Sequence, residues 1–282
     1  MTGALLVDKP AGPTSHDVVA RARRLFQLRA IGHTGTLDPF ATGLLILVFG
    51  SATRLARWAE RHRKSYHAVI RLGLTTSTDD STGKLLVEQN PGTWPERAAV
   101  NAALERLTGP QRQRPPAFSA KRVSGVRSHR LARRGENPTP APVEVMVYRL
   151  ELLEYEPPLL TLQAEVGPGT YLRALGRDLG ELLGTGAHLA GLRRERIGPW
   201  RVEAAHPLAE LTGRETLMPA RELVNELPAV ELAPEEVTLV GHGRDLARPE
   251  PTAGEAALLD GGRLVAVAHA VPSGWHPAVV LR

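Results

Sequence analysis

The run LLILVFG, residues 44 to 50, constrains this chain more than any other stretch. Its six consecutive apolar residues span the length of a strand and are closed by Gly50. They offer no polar face to water, so the segment reads as a buried strand. What precedes it is of opposite character. GHTGTLDPFATG, residues 32 to 43, sets one carboxylate, Asp38, among glycines, threonines and a proline. Pro39 biases Asp38 toward extended backbone. Gly32, Gly35 and Gly43 permit tight turns and the close approach of another molecule. Two readings of Asp38 stand open on these residues alone. It shapes an Asx-type turn by bonding its own backbone, or it is a carboxylate placed for chemistry.

The rest of the chain alternates strand and helix patterns without a strict βαβ order, which argues for α+β. GALLVDKP is a strand ending at Pro10. A helix is expected from Ser15, as N-cap, to about Leu28, with Val18, Val19, Ala22, Leu25 and Phe26 on one face. Residues 30 to 43 read as loop. SATRLARWAERHR reads as a helix capped by Ser51, and SYHAVIRLG as a strand. TTSTDDSTG is a polar turn, and PERAAVNAALERLTG is a helix with Pro95 in its first turn and Gly109 ending it. VEVMVYRLELLEY and LLTLQAEV, 143 to 155 and 159 to 166, form a hairpin, the second strand burying alternate residues. TYLRALGRDLGELLG is an amphipathic helix. After Pro228 short strand-like runs separated by Gly and Pro suggest a small all-β domain. The expected organisation is therefore residues 1–227, with a basic finger at about 111–142, and 228–282.

At 282 residues with 42% hydrophobic content, the chain has enough apolar material for a proper core. It has no apolar run of about 18 residues, so no membrane helix is expected. MTGALLVDKP lacks the pattern of a signal peptide, so a cytoplasmic location is expected. There is no cysteine, which excludes disulfides, thiolate zinc sites and a cysteine nucleophile. The ten histidines show no zinc spacing, and neither G-x-S-x-G nor a P-loop is present.

Charge points toward nucleic acid. Net charge is +5, and 31 of the 35 basic residues are arginine, whose planar fork matches phosphate and stacks on bases. Residues 111 to 134, QRQRPPAFSAKRVSGVRSHRLARR, hold eight Arg or Lys and no acid. Solvated helices usually mix signs, so this run reads as a mobile basic finger for a phosphate backbone. The candidates for backbone contact are Arg112, Arg114, Lys121, Arg122, Arg127 and Arg130. Arg173 sits on an otherwise apolar helical face and needs a buried acceptor, for which an ionised carboxylate is natural. On local grounds His33 is a turn histidine and Tyr66 a strand aromatic.

The residues also carry a resemblance. DKPAGPTSHDVV (8–19), GHTGTLDPFATGLL (32–45), SYHAVIRLG (65–73), PPAFSA (115–120), GTYLRALGRDLG (169–180) and GAHLAGLRR (186–194) occur in that order. They resemble the successive motifs of the TruB family of bacterial tRNA pseudouridine synthases, which act on uridine 55 of the T-loop. The region after 228 is similar to that family's PUA-like RNA-binding domain. The resemblance implies an α+β catalytic domain with a central mixed, largely antiparallel sheet, and an isomerase needing neither metal nor organic cofactor. Its partner would be tRNA, through the T-arm. It implies no obligate protein partner, no membrane, and a monomer.

By position within the motifs, Asp38 resembles the catalytic aspartate, Tyr66 the tyrosine that stacks on the target base, and Arg173 the arginine that pairs with the aspartate. Leu192 resembles a wall of the uracil pocket. His33 resembles the histidine that inserts into the T-loop, and Asp80 an acid that contacts the flipped nucleotide. Tyr171 is taken as a further substrate-binding residue, and Lys9, Pro10, Gly35 and Gly43 as support for the motifs. An Arg neighbour is expected to lower the pKa of the aspartate. The sequence departs from the family pattern at Phe118, Arg122, His129 and Ser77, where tyrosine, lysine, tyrosine and an acid are usual. Alternatives are a non-catalytic tRNA-folding chaperone and a pseudouridine synthase with another RNA target.

Overall fold

The computed structural model describes residues 1–89, 91–119, 121–123, 125–136, 138–248 and 254–281; of His129 only the backbone is described. Ala120, Ser124 and the His129 side chain, all within the basic run, thus lie outside it. The elements in chain order are β1 (Gly3–Lys9), α1 (Ser15–Leu25), β2 (Ile31–Thr34), β3 (Thr42–Phe49), α2 (Ala56–Arg61), β4 (Lys64–Leu72), β5 (Leu74–Thr76), β6 (Leu85–Glu88), α3 (Arg97–Arg106), β7 (Gly109–Gln113), β8 (Arg122–Val123), β9 (Val126–Arg127), α4 (Ser128–Arg133), β10 (Val143–Glu156), β11 (Leu159–Val166), α5 (Leu172–Leu182), β12 (Ala187–Ile197), β13 (Trp200–Arg201) and β14 (His206–Pro207). There follow β15 (Ala229–Glu231), α6 (Pro234–Gly241), β16 (Leu246–Ala247), β17 (Glu255–Asp260), β18 (Arg263–Val271) and β19 (Gly274–Val280).

A ten-stranded sheet runs in the order β14-β1-β3-β12-β4-β11-β10-β7, with β2 added to β3 and β13 to β12. Only β1/β14 and β3/β12 pair in parallel; the other neighbours are antiparallel, so the fold is α+β with a mixed, largely antiparallel sheet. The continuous apolar run of β3 follows from its place in this sheet. Leu44, Ile46 and Val48 enter one core with Trp58 and Val224, while Leu45, Leu47 and Phe49 enter another with Val18, Val19 and Ala22 of α1. A strand covered on both faces has no alternation to show. At about 1.5 to 3 kcal/mol per buried side chain, β3 holds both cores together. In β4, by contrast, Lys64, Tyr66, Ala68, Ile70 and Leu72 are buried while most intervening residues are half-buried. Its buried row meets α3 and α5 in a third core.

A second sheet, β15-β17-β18-β19-β16, follows residue 228. It is not purely β as expected, because Pro234 opens α6, which packs Val240 against Leu258 and Ala266. The other side of this sheet joins the first: Ala257, Leu259, Val267 and Val279 share the core of Leu44, Ile46 and Val48. Glu255 at the start of β17 receives Trp58 Nε1 at 3.0 Å and Arg61 at 2.7 Å. None of the described helices is long and apolar enough to cross a membrane.

Four local expectations need correction. Thr14, not Ser15, caps α1, in a capping box with Asp17, and the helix stops at Leu25 because Gln27 is left-handed. Residues 31–34 are a strand, paired Ile31 to Phe49 through Thr34 to Ile46. Gly50–Leu55 is a 3-10 turn ahead of a short α2, so Ser51 lies within a helical turn and the N-cap positions fall at Phe49 and Leu55. Glu96 is the N-cap of α3, which places Pro95 before the helix. Gly43 has φ +101°, and a Cβ there would overlap the backbone of Arg194. Gly43→Ala is therefore expected to destabilise the chain by about 1 to 3 kcal/mol or more, read as a lowered Tm by calorimetry; an unchanged Tm would contradict this account of the loop.

Candidate active site

The loop between β2 and β3 is pinned from four directions. Ser15 Oγ donates to Leu37 O at 3.1 Å and accepts from Leu37 N at 2.9 Å, fixing the residue before Asp38. Lys9, fully buried, gives its ammonium to the carbonyls of Pro10, Pro13 and Pro39 at 2.9, 2.9 and 3.2 Å. Gly12 N donates to Pro39 O at 2.8 Å. Arg194, also buried, donates Nε to Leu44 O and Nη2 to Gly35 O at 2.7 and 2.9 Å. Lys64 donates to the carbonyls of Glu60 and His62 at 2.9 Å each and lies with Arg194 beside Gly35, so three long cationic side chains line the loop with their charges spread over carbonyl dipoles. Buried donors satisfied this way stiffen what they bind.

The Asp38 carboxylate turns from its own loop to Arg173 in the first turn of α5. Arg173 Nε lies 2.9 Å from Asp38 Oδ2, and Nη2 donates to Oδ1 at 3.3 Å. Nη2 also donates to Phe118 O at 2.9 Å; Nη1 donates to Thr78 O at 3.0 Å and lies 3.6 Å from Asp80 Oδ2. A guanidinium has five N–H donors in a rigid fork; here that fork faces two carboxylates and two backbone carbonyls. The acceptor that a buried arginine demands is therefore a set of four groups, Asp38 among them. A two-point fork on a carboxylate fixes its orientation as well as its charge.

The residues just before Asp38 and Arg173, Leu37 and Leu172, enter a common apolar floor. Leu37, Ala41, Tyr66 and Leu172 belong to one core cluster, with Leu192 packed against it. Tyr66 is buried on β4, beside β12, where Ala68 pairs with Leu192. Tyr171 precedes the helix, and its backbone is clasped by the buried Gln113 amide, Tyr171 N to Oε1 at 2.8 Å and Nε2 to Tyr171 O at 3.1 Å. Asp80 is buried inside its turn: Oδ1 accepts from Thr78 Oγ1, Thr82 N and Thr82 Oγ1 at 2.6 to 2.9 Å. It reaches the site through Arg173. His33, on β2, is half-buried, and its Nδ1 is buried without a hydrogen-bond partner.

The electrostatics differ from expectation at the central residue. Burial pushes the Asp38 carboxyl above the ordinary aspartate range; Arg173 opposes this, Asp80 adds to it, and Lys9 opposes it. Desolvation outweighs the arginine because the same guanidinium also serves two carbonyls and a second acid. The side chain nonetheless keeps 34% of its surface open. Burial lowers Lys9 to about 8, with Asp38 opposing the fall. Burial, with Arg194 and His16, also lowers His33, so its imidazole is neutral at pH 7. Burial raises the Tyr171 phenol, with Arg173 opposing.

The described residues of the basic run form short elements. Arg112 lies in β7 at the edge of the main sheet, Arg122 and Arg127 in the β8–β9 ribbon, and Arg130 in α4. These four and Arg114 are exposed, and Lys121 is half-buried. Among the described residues no group of three His, Asp or Glu side chains is placed to hold a metal ion. Sequence reading missed Ser15, Gln113, Thr78 and Arg177 as parts of this region. An uncharged glutamine between two arginines was a signal open to it, whereas carbonyl acceptors such as Thr78 O leave none.

Residues 23–172 match the TruB family pseudouridylate synthase N-terminal domain, and residues 173–227 match the tRNA pseudouridylate synthase B C-terminal domain. The boundary between the matches falls at the start of α5. The chain is 43% identical to tRNA pseudouridine synthase B of Thermobifida fusca, over 99% of this chain and 98% of that protein. It is 39% identical to that of Solibacter usitatus over the whole of both. It is 41% identical to that of Mycobacterium tuberculosis over 93% of this chain and 83% of that protein. Among solved structures, it resembles a chain of an H/ACA RNP bound to a substrate RNA containing 2'-deoxyuridine, with TM-score 0.76 and 26% identity over 99% of this chain and 85% of that one. A chain of a Cbf5-Nop10-Gar1 complex gives TM-score 0.75 at 27% identity, covering 99% and 84%.

Because its folded-state pKa is raised, Asp38 favours folding in its protonated form, and the ionised form is held at a cost at neutral pH. Carbon-13 detected titration of the Asp38 carboxyl is expected to give a midpoint above the ordinary value of about 3.9, moving further up in Arg173→Gln. A midpoint at or below the ordinary value would refute this balance of burial over pairing.

Proposed function

The chain belongs to the TruB family of pseudouridylate synthases and isomerises uridine to pseudouridine in tRNA; within that activity we propose that its target is uridine 55 of the T-arm and that Asp38 is the catalytic carboxylate. The observation that carries the assignment is the two-point pairing of Asp38 with the buried Arg173 above an apolar floor. On this reading the target nucleotide is everted from the T-loop, at a cost of a few kcal/mol. Stacking on Tyr66, about 1 to 3 kcal/mol per base, offsets part of that cost, and Leu192 walls the base. Asp38 attacks C1′ of the ribose or takes the C2′ proton. The N1–C1′ bond breaks, the uracil turns, C5 bonds to C1′, the C5 proton is lost and N1 is protonated. Arg173 holds the carboxylate at one angle and balances its charge.

The neutral, half-buried His33 ring enters the T-loop, where eversion leaves a gap. Asp80 acts on the nucleotide by way of Arg173, and Tyr171 borders the pocket. Arg112, Arg114, Lys121, Arg122, Arg127 and Arg130 meet the phosphate backbone. Residues 1–227 are the catalytic domain and 228–282 a PUA-like RNA-binding domain. The enzyme works in the cytoplasm as a monomer, without metal, organic cofactor or obligate protein partner.

Asp38→Asn is expected to abolish tritium release from C5-labelled uridine in tRNA while leaving tRNA affinity within about threefold, since phosphate contacts dominate such interfaces. Retained product would remove Asp38 from the chemistry. A free T-arm stem-loop should be modified by the protein alone; a requirement for a guide RNA or a partner protein would exclude stand-alone action. If four arm residues neutralise phosphates, log K should fall by about 3 to 4 per unit of log salt, and a flat titration would take the arm off the backbone.

A further inference from the structure

Arg177 stands one helical turn beyond Arg173 on α5, and the reaction as described above makes no use of it. Its side chain is only 15% exposed. Nη1 donates to Asp79 Oδ2 at 3.1 Å, and Nε and Nη2 donate to Asp178 Oδ1 at 2.9 and 2.7 Å. Nη2 also donates to the backbone carbonyl of Arg114 at 2.8 Å. One guanidinium therefore joins α5 to two separate segments, the turn 76–83 and the root of the basic arm.

Those same two segments orient Arg173. Thr78 O and Asp80 come from the turn, and Phe118 O from the arm. Every Arg173 donor not aimed at Asp38 ends on a segment that Arg177 also holds. The turn needs such a hold. Asp79 is left-handed at φ +59°, a conformation that costs a non-glycine residue energy and persists only where its surroundings enforce it. An exposed ion pair contributes little, but this one is largely enclosed and reaches three parts of the chain.

We propose that Arg177 is a positioning residue for isomerisation: by clamping Asp79 and the Arg114 carbonyl to α5 it keeps the acceptors of Arg173 in place, and through Arg173 it sets the angle of Asp38. The inference rests on the assignment of Asp38 and Arg173 made above, which the Asp38→Asn experiment tests separately. Arg177 touches no reacting atom; it acts through its neighbour. The charged and titratable groups that face Asp38 are Lys9 from β1, Tyr171 and Arg173 from the start of α5, and Asp80 from the turn.

The test is steady-state kinetics of Arg177→Gln, Asp79→Asn and the double variant on unmodified tRNA across pH. A carboxylate set at the wrong angle should lower kcat by about tenfold to a hundredfold, with KM within about twofold. The acid limb of kcat should move to higher pH, since a loosened Arg173 fork favours the Asp38 carboxylate less. The double variant should be no worse than the more damaged single one, because both remove one coupling. The proposal is overturned if kcat stays within about twofold of the parent. It is equally overturned if KM rises with kcat unchanged, or if kcat falls by one factor at every pH in step with a lowered Tm. Should Arg177→Gln not fold, Asp79→Asn carries the same expectations alone. Loss of kcat in these variants beside full activity in Asp38→Asn would sink the catalytic assignment, whereas the reverse pattern would sink only this inference.

Discussion

The arrangement depends on one buried guanidinium, Arg173, drawing acceptors from three segments to itself. Arg173 is an expensive residue to place beneath a protein surface, and it is tolerated because its fork meets two carboxylates and two carbonyls. These acceptors come from three segments far apart in sequence: the Asp38 loop, the turn at 78–80 and the arm at 118. The three segments are therefore coupled in the folded state, because a misplaced one leaves a buried donor unsatisfied, at roughly 1 to 3 kcal/mol each. The arginine orients its neighbours first and balances charge second.

A complementary logic operates below the loop. Lys9, Lys64 and Arg194 are cations with little acid nearby to pair with, and they are anchored on carbonyls. Their field opposes desolvation of Asp38 only weakly, since Lys9 is the sole member that acts on it appreciably. The outcome is a carboxyl raised by its surroundings yet held in the geometry of a carboxylate. Such an acid is more basic, and so a better nucleophile or proton acceptor, than one fully neutralised by its partner.

Much of this was legible in the chain, and the legible parts share a cause. Period-2 burial in Leu160, Leu162, Ala164 and Val166 and the unbroken run of β3 each record which faces are covered. The helical stripe of α5 does the same, and it made Arg173 conspicuous as a charge on an apolar face. What stayed hidden lacks such periodicity. β2 has four residues and contains Gly32, too short to show alternation. α6 is eight residues long and begins at a proline in a strand-rich region. Thr14 outcompetes its neighbour Ser15 as cap because the Ser15 hydroxyl is already committed to Leu37. The direction of the Asp38 shift was misjudged because pairing was visible in the motif while enclosure was not. Gln113 lay in a run whose charges drew attention to RNA, yet its amide holds the start of α5.

The core shared between the two sheets carries a consequence for how this chain could be divided. Leu44, Ile46 and Val48 of β3 are sealed partly by Ala257, Val267 and Val279. Cutting after Leu227 would leave that side of the central strand facing solvent, and an uncovered apolar strip of this kind invites self-association. The C-terminal fifth of the chain thus covers part of the hydrophobic interior built on the first sheet. Any shortened version meant to behave in solution would need polar replacements on β3, which would then disturb the strand that carries the Asp38 loop.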